Sequence, residues 1–218
     1  MKMNSLFFAL LAVAGLSSCS KDMVVEQEPE PEQEKDGAES AADYLQLKAG
    51  NMWVYESYSV DLVSGETRPL KKRDSLFVRQ DTTIDRAKYH ILEGTRLGEP
   101  FFAILRTSGP NLIDAEGHVL FSADVLEDTL SVPADLLPAG VHSAFTVVNE
   151  VKGMEVPYGF YDALAQHVLW YFPAGSSGLP EESCRHDTAY YVKGVGLAKY
   201  ASQMEGSPIR IEMRLVSR

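Results

Sequence analysis

Cys184, His186 and Asp187 are the one place in this sequence where a nucleophile, a base and an acid stand within a few residues of each other. An imidazole beside a thiol lowers the thiol pKa and makes thiolate chemistry available near neutral pH. The three come after Pro173 in a Gly/Ser/Pro-rich stretch that reads as a loop, and residues two apart on a loop do not hold a productive Cys–His geometry. The expectation is a stray thiol beside a turn-forming His-Asp pair. The five histidines, His90, His118, His142, His167 and His186, are scattered with no pair at ligand spacing, so no metal is expected. The acid pairs Glu127-Asp128 and Glu181-Glu182 fall in expected loops and read as solvated. There is no Gly-x-Ser-x-Gly, phosphate loop or zinc signature. No catalytic residue, metal or cofactor is expected, and the chain reads as a protein that is not an enzyme.

The other cysteine carries a different chemistry. Lys2 supplies a positive start and Leu6 to Leu16 an uncharged run. That run has the length of a secretion-signal core and falls well short of the roughly twenty residues of a membrane-spanning helix. It ends in Leu16-Ser17-Ser18-Cys19. This ending resembles the bacterial lipoprotein signal, in which a leucine and two small residues precede the cysteine. The resemblance implies that residues 1–18 are a signal peptide, that the Cys19 thiol takes a diacylglyceryl group, and that palmitate-type chains hold the mature N-terminus in a Gram-negative outer membrane. At about 0.8 kcal/mol per buried CH₂, one acyl chain binds marginally whereas two or more anchor stably. The run Ser20-Lys21-Asp22 resembles the acid-containing signal that sends Bacteroides-type lipoproteins to the cell surface, and leaves the surface and periplasmic faces both open. With Cys19 lipidated, Cys184 has no partner for an intramolecular disulfide.

Charge and composition divide the chain beyond Cys19. From Cys19 to Asp43 there are nine acidic residues against Lys21 and Lys35, a net of −7, and almost nothing apolar beyond Met23-Val24-Val25. Residues 19–43 therefore read as a lipidated end and a disordered acidic tether, kept extended by like charge, Pro29 and Pro31. Residues 44–218 carry 22 acidic and 17 basic side chains, an ordinary balance for a single domain. Lys71-Lys72-Arg73 is the only basic run and reads as a solvated loop or an edge-strand guard, so nucleic acid is excluded as a partner.

The elements that must position any site are strands. Short β-branched and aromatic runs are broken every eight to twelve residues by turn signals such as Ser64-Gly65, Asp85-Arg86 and Gly98-Glu99-Pro100. Strands are expected near 52–62, 74–80, 88–93, 101–106, 119–122, 143–150, 165–172, 189–193, 197–201 and 209–217. In the last, Ile209, Ile211, Met213 and Leu215 alternate with Arg210, Glu212 and Arg214, placing the first set in a core and the second in water. Phe101 to Leu105 and Gln166 to Phe172 are apolar on both faces and ask for cover on both sides. The fold class expected is all-β: a single curled antiparallel sheet or partial β-barrel, with short helical turns at 124–128 and 134–137.

Three further stretches resemble uncharacterised lipoproteins of Bacteroides-type Gram-negative bacteria. They are Leu45-Gln46-Leu47-Lys48-Ala49-Gly50-Asn51-Met52-Trp53-Val54-Tyr55 near the start, Val156-Pro157-Tyr158-Gly159-Phe160-Tyr161-Asp162-Ala163 in the middle, and Tyr190-Tyr191-Val192-Lys193-Gly194-Val195-Gly196-Leu197-Ala198-Lys199-Tyr200 near the end. The resemblance implies a lipocalin-like or LolA-like curled sheet and no activity. From the residues themselves, Trp53 and Tyr55 share one strand face, where large rings seal the end of a sheet, and Gly194 and Gly196 mark a bulge or tight bend where another backbone passes closely. Two functions fit these expectations: an envelope lipoprotein whose sheet binds an apolar small ligand or lipid, or an accessory subunit that docks another envelope protein without a ligand. An accessible apolar cavity favours the first, and a filled interior with an exposed flat patch the second.

Overall fold

The computed structural model describes residues 39–175 and 182–218. The expected signal peptide, Cys19, the Ser20-Lys21-Asp22 run and most of the expected tether lie outside the described residues.

One five-residue helix, α1 (Ala41–Leu45), precedes twelve strands: β1 (Met52–Asp61), β2 (Thr67–Ile84), β3 (Ala87–Arg96), β4 (Glu99–Ser108), β5 (Asn111–Asp114), β6 (Val119–Ser122), β7 (Leu130–Ser131), β8 (Ser143–Val156), β9 (Gly159–Phe172), β10 (Ser183–Val192), β11 (Gly196–Met204) and β12 (Ile209–Ser217). They form one antiparallel sheet in the order β6-β5-β4-β3-β2-β1-β12-β11-β10-β9-β8-β7. The chain starts mid-sheet, steps outward by hairpins to one edge at β6, and resumes at the other edge at β7. From there it returns until β12 pairs with β1. Asp85 and Arg86, both at positive φ, make the two-residue turn between β2 and β3 that suits the strands' own twist.

Contacts across the sheet measure its curl. Tyr191 on β10 and Phe121 on β6 are eight strands apart in the order, about 38 Å in a flat sheet at roughly 4.8 Å per strand. Their ring centroids are 4.9 Å apart. Gln166 Nε2 on β9 likewise donates to the Leu120 carbonyl on β6 at 2.6 Å. The sheet therefore wraps round on itself without closing, because β6 and β7 have no further partner strand among the described residues. Register shifts within β1, β2, β8, β10 and β5 supply the local extra twist that tight curling needs.

All ten expected strands are present. β5 and β7 were not expected, being four and two residues long with too little pattern to read. β2 extends back to Thr67 and takes in Lys71-Lys72-Arg73, which is exposed strand rather than loop. Residues 124–128 form no helix, whereas Ala134–Leu136 make a single 3-10 turn. The fold also begins earlier than Tyr44. Ser40 caps α1 by accepting from the Ala42 N–H, and Ala41 is fully buried, so the last residues of the acidic stretch belong to the domain.

α1 stoppers one end of the curl. Its Ala41 N–H donates to the Gly109 carbonyl after β4, and its Asp43 carbonyl accepts from the Gly194 N–H after β10. These two bonds tie the helix to opposite walls. Among the described residues the cover expected on the outer faces of β4 and β9 is not there: Phe102 is 63% exposed, and Phe145 and Tyr171 form an edge-on pair on the outside. Single exposed rings are tolerated, because a protein has too little polar surface to cover its whole exterior.

Glu212 corrects the reading of β12. Met213 and Leu215 are fully buried as expected, yet Glu212 on the opposite face is only 1% exposed. Arg210 and Arg214, two residues either side, close over it with Nε and Nη2 at 2.6–2.8 Å from its oxygens. Desolvation pushes this carboxyl up, but Lys199 and the two guanidinium groups outweigh it and hold its pKa below the usual carboxylate value. Strand alternation assigns a side chain to a face, and the flanking arginines decide whether that face is wet.

Candidate functional site

The concave face of the sheet encloses a cavity of about 320 Å³. Trp53 and Tyr55 of β1, Leu76 of β2, Leu92 of β3, Phe101 and Leu105 of β4, Tyr191 of β10 and Leu197 of β11 form its walls, while Leu45 and Leu47 reach in from α1 and the segment after it. Alternation puts these residues on one face: in the β1–β2 register Trp53 lies opposite Leu76, and in the β3–β4 register Leu92 lies opposite Ala103. Trp170 and Gln166 of β9 complete the lining.

The rings turn their polar ends into the wall. Trp53 Nε1 donates to the Val195 carbonyl at 2.7 Å, Tyr55 Oη to the Leu197 carbonyl at 2.8 Å, and Trp170 Nε1 to the Asp187 carboxylate at 2.8 Å. Apolar ring faces are left toward the cavity. Burial raises the phenols of Tyr55 and Tyr191 above the ordinary tyrosine pKa, so both stay neutral near pH 7. The remaining titratable group of the lining is Arg96, whose guanidinium lies 4.5 Å from the Phe101 ring and 4.7 Å from Tyr200. Solvation and shape suit this chamber to hold an apolar molecule.

The first and last resembling stretches meet here. Trp53 packs directly over Gly196: a Cβ there would lie 2.7 Å from the indole nitrogen, and the residue's φ of +104° also favours glycine. Of the close approach expected at Gly194 and Gly196, only Gly196 shows one that shuts out a Cβ, and a side chain makes it rather than another backbone; at Gly194 nothing lies within 4 Å of an added Cβ. The middle stretch forms the β8–β9 turn, where the Tyr158 N–H donates to the Leu215 carbonyl.

The Cys184-His186-Asp187 cluster is not a loop. It lies in β10, and alternation puts Cys184 and His186 on one face and Asp187 on the other. Asp187 is buried on the concave side, where Ser202 Oγ donates to it at 2.6 Å and Arg185 pairs with it at 3.2 Å. Cys184 is buried too, and desolvation pushes its thiol pKa up, away from reactivity. A buried strand position makes Cys184→Ser costlier than a loop position would. Placing a hydroxyl there should lower stability by about 1–3 kcal/mol in urea melts, and the wild-type thiol should alkylate with iodoacetamide only as fast as the chain unfolds. Rapid native-state alkylation would contradict the burial.

Pairing of β9 with β10 brings together two histidines that are nineteen positions apart: His167 Nδ1 is 3.1 Å from His186 Nε2, and His167 Nε2 is 2.6 Å from Asn149 Oδ1. Desolvation, and then the His186 charge, lower the His167 pKa. Among the described residues no three His, Cys, Asp or Glu are grouped to hold a metal. His118 instead clips β5 to the 3-10 turn, bonding Asp114 at 3.0 Å and Asp135 at 2.9 Å.

Sequence reading missed Arg96, Tyr191 and Gln166 as lining residues. The doubly apolar pattern of β4 and β9 was the signal that these strands wall an interior.

No family model matches the chain, and no curated protein matches it. Two solved structures resemble it weakly. One is a protein described as a lipoprotein of Parabacteroides distasonis, with 12% identity, 78% of this chain and 95% of that one covered, and a TM-score of 0.42. The other is described as an exported protein with YmcC-like fold from Bacteroides fragilis, with 11% identity, 79% and 97% covered, and a TM-score of 0.44. Likeness at this level assigns the chain to no family.

Proposed function

We propose that this chain is a non-catalytic, lipid-anchored protein of the Gram-negative outer membrane, whose curled sheet binds an apolar small ligand or lipid in the manner of lipocalin-like and LolA-like domains. The observation that carries the reading is the 320 Å³ concave cavity, whose wall includes the rings of Trp53, Tyr55 and Trp170 with their polar ends bonded into the sheet. Its volume lies within the range of about 300–1,000 Å³ typical of small-molecule sites. The anchor rests on the Leu16-Ser17-Ser18-Cys19 pattern, and display on the cell surface on Ser20-Lys21-Asp22. A tethered accessory subunit that docks another envelope protein is the second reading, favoured by the outward Phe102 and Phe160, 63% and 70% exposed.

The protein carries its own reporter. Its two tryptophans, Trp53 and Trp170, both line the cavity. The mature chain from residue 19, carrying Cys19→Ser and purified without detergent, should show saturable changes in tryptophan emission when titrated with long-chain alkyl compounds, at one ligand per chain. Unchanged emission, together with no co-purifying lipid in organic extracts, would decide for the docking reading.

A further inference from the structure

From the setting of Arg96 we infer that the ligand is an amphipath: one alkyl chain ending in an acidic group, with the chain in the cavity and the acid on the Arg96 guanidinium. This rests on the cavity being a binding site. The Arg96 side chain crosses from β3 to the far wall, where its guanidinium lies between Phe101 and Tyr200 at 4.5 and 4.7 Å from the ring centroids. Those rings hold the group's faces and leave its N–H edge without a partner. Among the described residues no hydrogen-bond acceptor and no carboxylate pairs with it.

The buried acids on the same face are already engaged, and Glu99, opposite Arg96 in the β3–β4 register, is exposed and makes no ion pair with it among the described residues. Asp74 accepts from the Gly98 N–H at 2.9 Å and from Ser57 Oγ at 3.4 Å. Asp187 is taken by Ser202, Trp170 and Arg185. A half-buried guanidinium beside an apolar cavity, with no ion pair of its own, is open to an acidic ligand, which gives it a two-pronged, charge-assisted contact.

Position supports the same orientation. Arg96 lines the cavity, and the next residue, Leu97, lines a second, more open hollow of about 450 Å³ that also includes Ser57 and Ser202. The cation therefore stands toward a second, more open hollow, with room for a chain on one side and for a head group on the other. A chamber at the small end of the range of about 300–1,000 Å³ suits a single chain rather than a two-chain phospholipid.

The test compares dodecanoic acid, dodecanol and methyl dodecanoate, titrated by tryptophan emission against the mature Cys19→Ser chain and against the same chain with Arg96→Gln or Arg96→Lys. The acid should bind about tenfold or more tighter than the alcohol and the ester. Arg96→Gln should abolish that preference, with circular dichroism and urea unfolding showing that the variant is folded, and Arg96→Lys should restore part of it. Equal affinity for acid and alcohol in the unaltered cavity, or a preference that survives Arg96→Gln, overturns the head-group assignment and leaves the apolar-ligand reading standing. Failure of all three compounds to bind overturns both.

Discussion

Gly94→Ala should be the most damaging single-methyl change in the protein, lowering stability by about 4 kcal/mol or more. Gly94 sits in β3 opposite Leu76 of β2, and a Cβ on it would lie 1.9 Å from the Ser75 carbonyl oxygen and 2.9 Å from its carbon. Those atoms are backbone in the middle of a paired ladder, so they cannot swing aside as a side-chain tip does. The φ of +147° adds strain for any L side chain. To relieve the clash, β2 and β3 must separate next to Leu76, which is itself in the core. Gly65→Ala is the matched control: its φ is also positive, at +75°, but nothing lies within 4 Å of the added methyl. It should cost only the left-handed penalty of about 1–2 kcal/mol. Urea unfolding of the two variants separates steric conflict from backbone strain, and equal losses would show that β2 and β3 do not approach as described.

Trp53→Ala should cost about 3–5 kcal/mol and remove ligand binding as well. The indole is 3% exposed, is part of the main core cluster, bonds the Val195 carbonyl and covers Gly196. Removing it empties a space bounded by β1 and the β10–β11 turn, and that turn also holds α1 through the Gly194 N–H. Loss of the ring therefore loosens the stopper as well as the wall. Trp53→Phe retains most of the apolar area but strands the Val195 carbonyl, and should cost less, about 1–3 kcal/mol. The measurement is again urea unfolding, monitored by circular dichroism because one of the two fluorophores is gone. A Trp53→Ala loss below about 1 kcal/mol would mean that the ring is not the keystone of this end of the sheet.

These two sites differ in how far the sequence announces them. Trp53 and Tyr55 are visible as large rings on one strand face, and Gly196 as a glycine at a bend, because a period of two and a positive-φ glycine are local properties of the chain. That Trp53 and Gly196 meet is not visible. They are 143 positions apart, and only pairing of β12 with β1 and of β11 with β12 brings them together. Gly94 carries no signal at all: a glycine within Glu93-Gly94-Thr95 looks like a weak point in a strand, and its necessity comes from the neighbouring strand's carbonyl.

What the sequence determines by itself is whatever short-range physics controls. The alternation of β12 puts Met213 and Leu215 inside, the turn signals separate the strands, and the absence of any long 3.6-residue period makes the domain all-β. The proposed lipidation at Cys19 belongs with these, because a signal read on an unfolded chain needs only neighbouring residues. Tertiary structure alone decides three things: that the sheet curls until Phe121 touches Tyr191, that Arg96 projects into the resulting cavity, and that Asp187 lies buried on the inside of the curl. The physical reason is that alternation tells which residues share a face, whereas the curl of the whole sheet, summed over twists and bulges in strands far apart in sequence, decides which face becomes the inside and which residues meet across it.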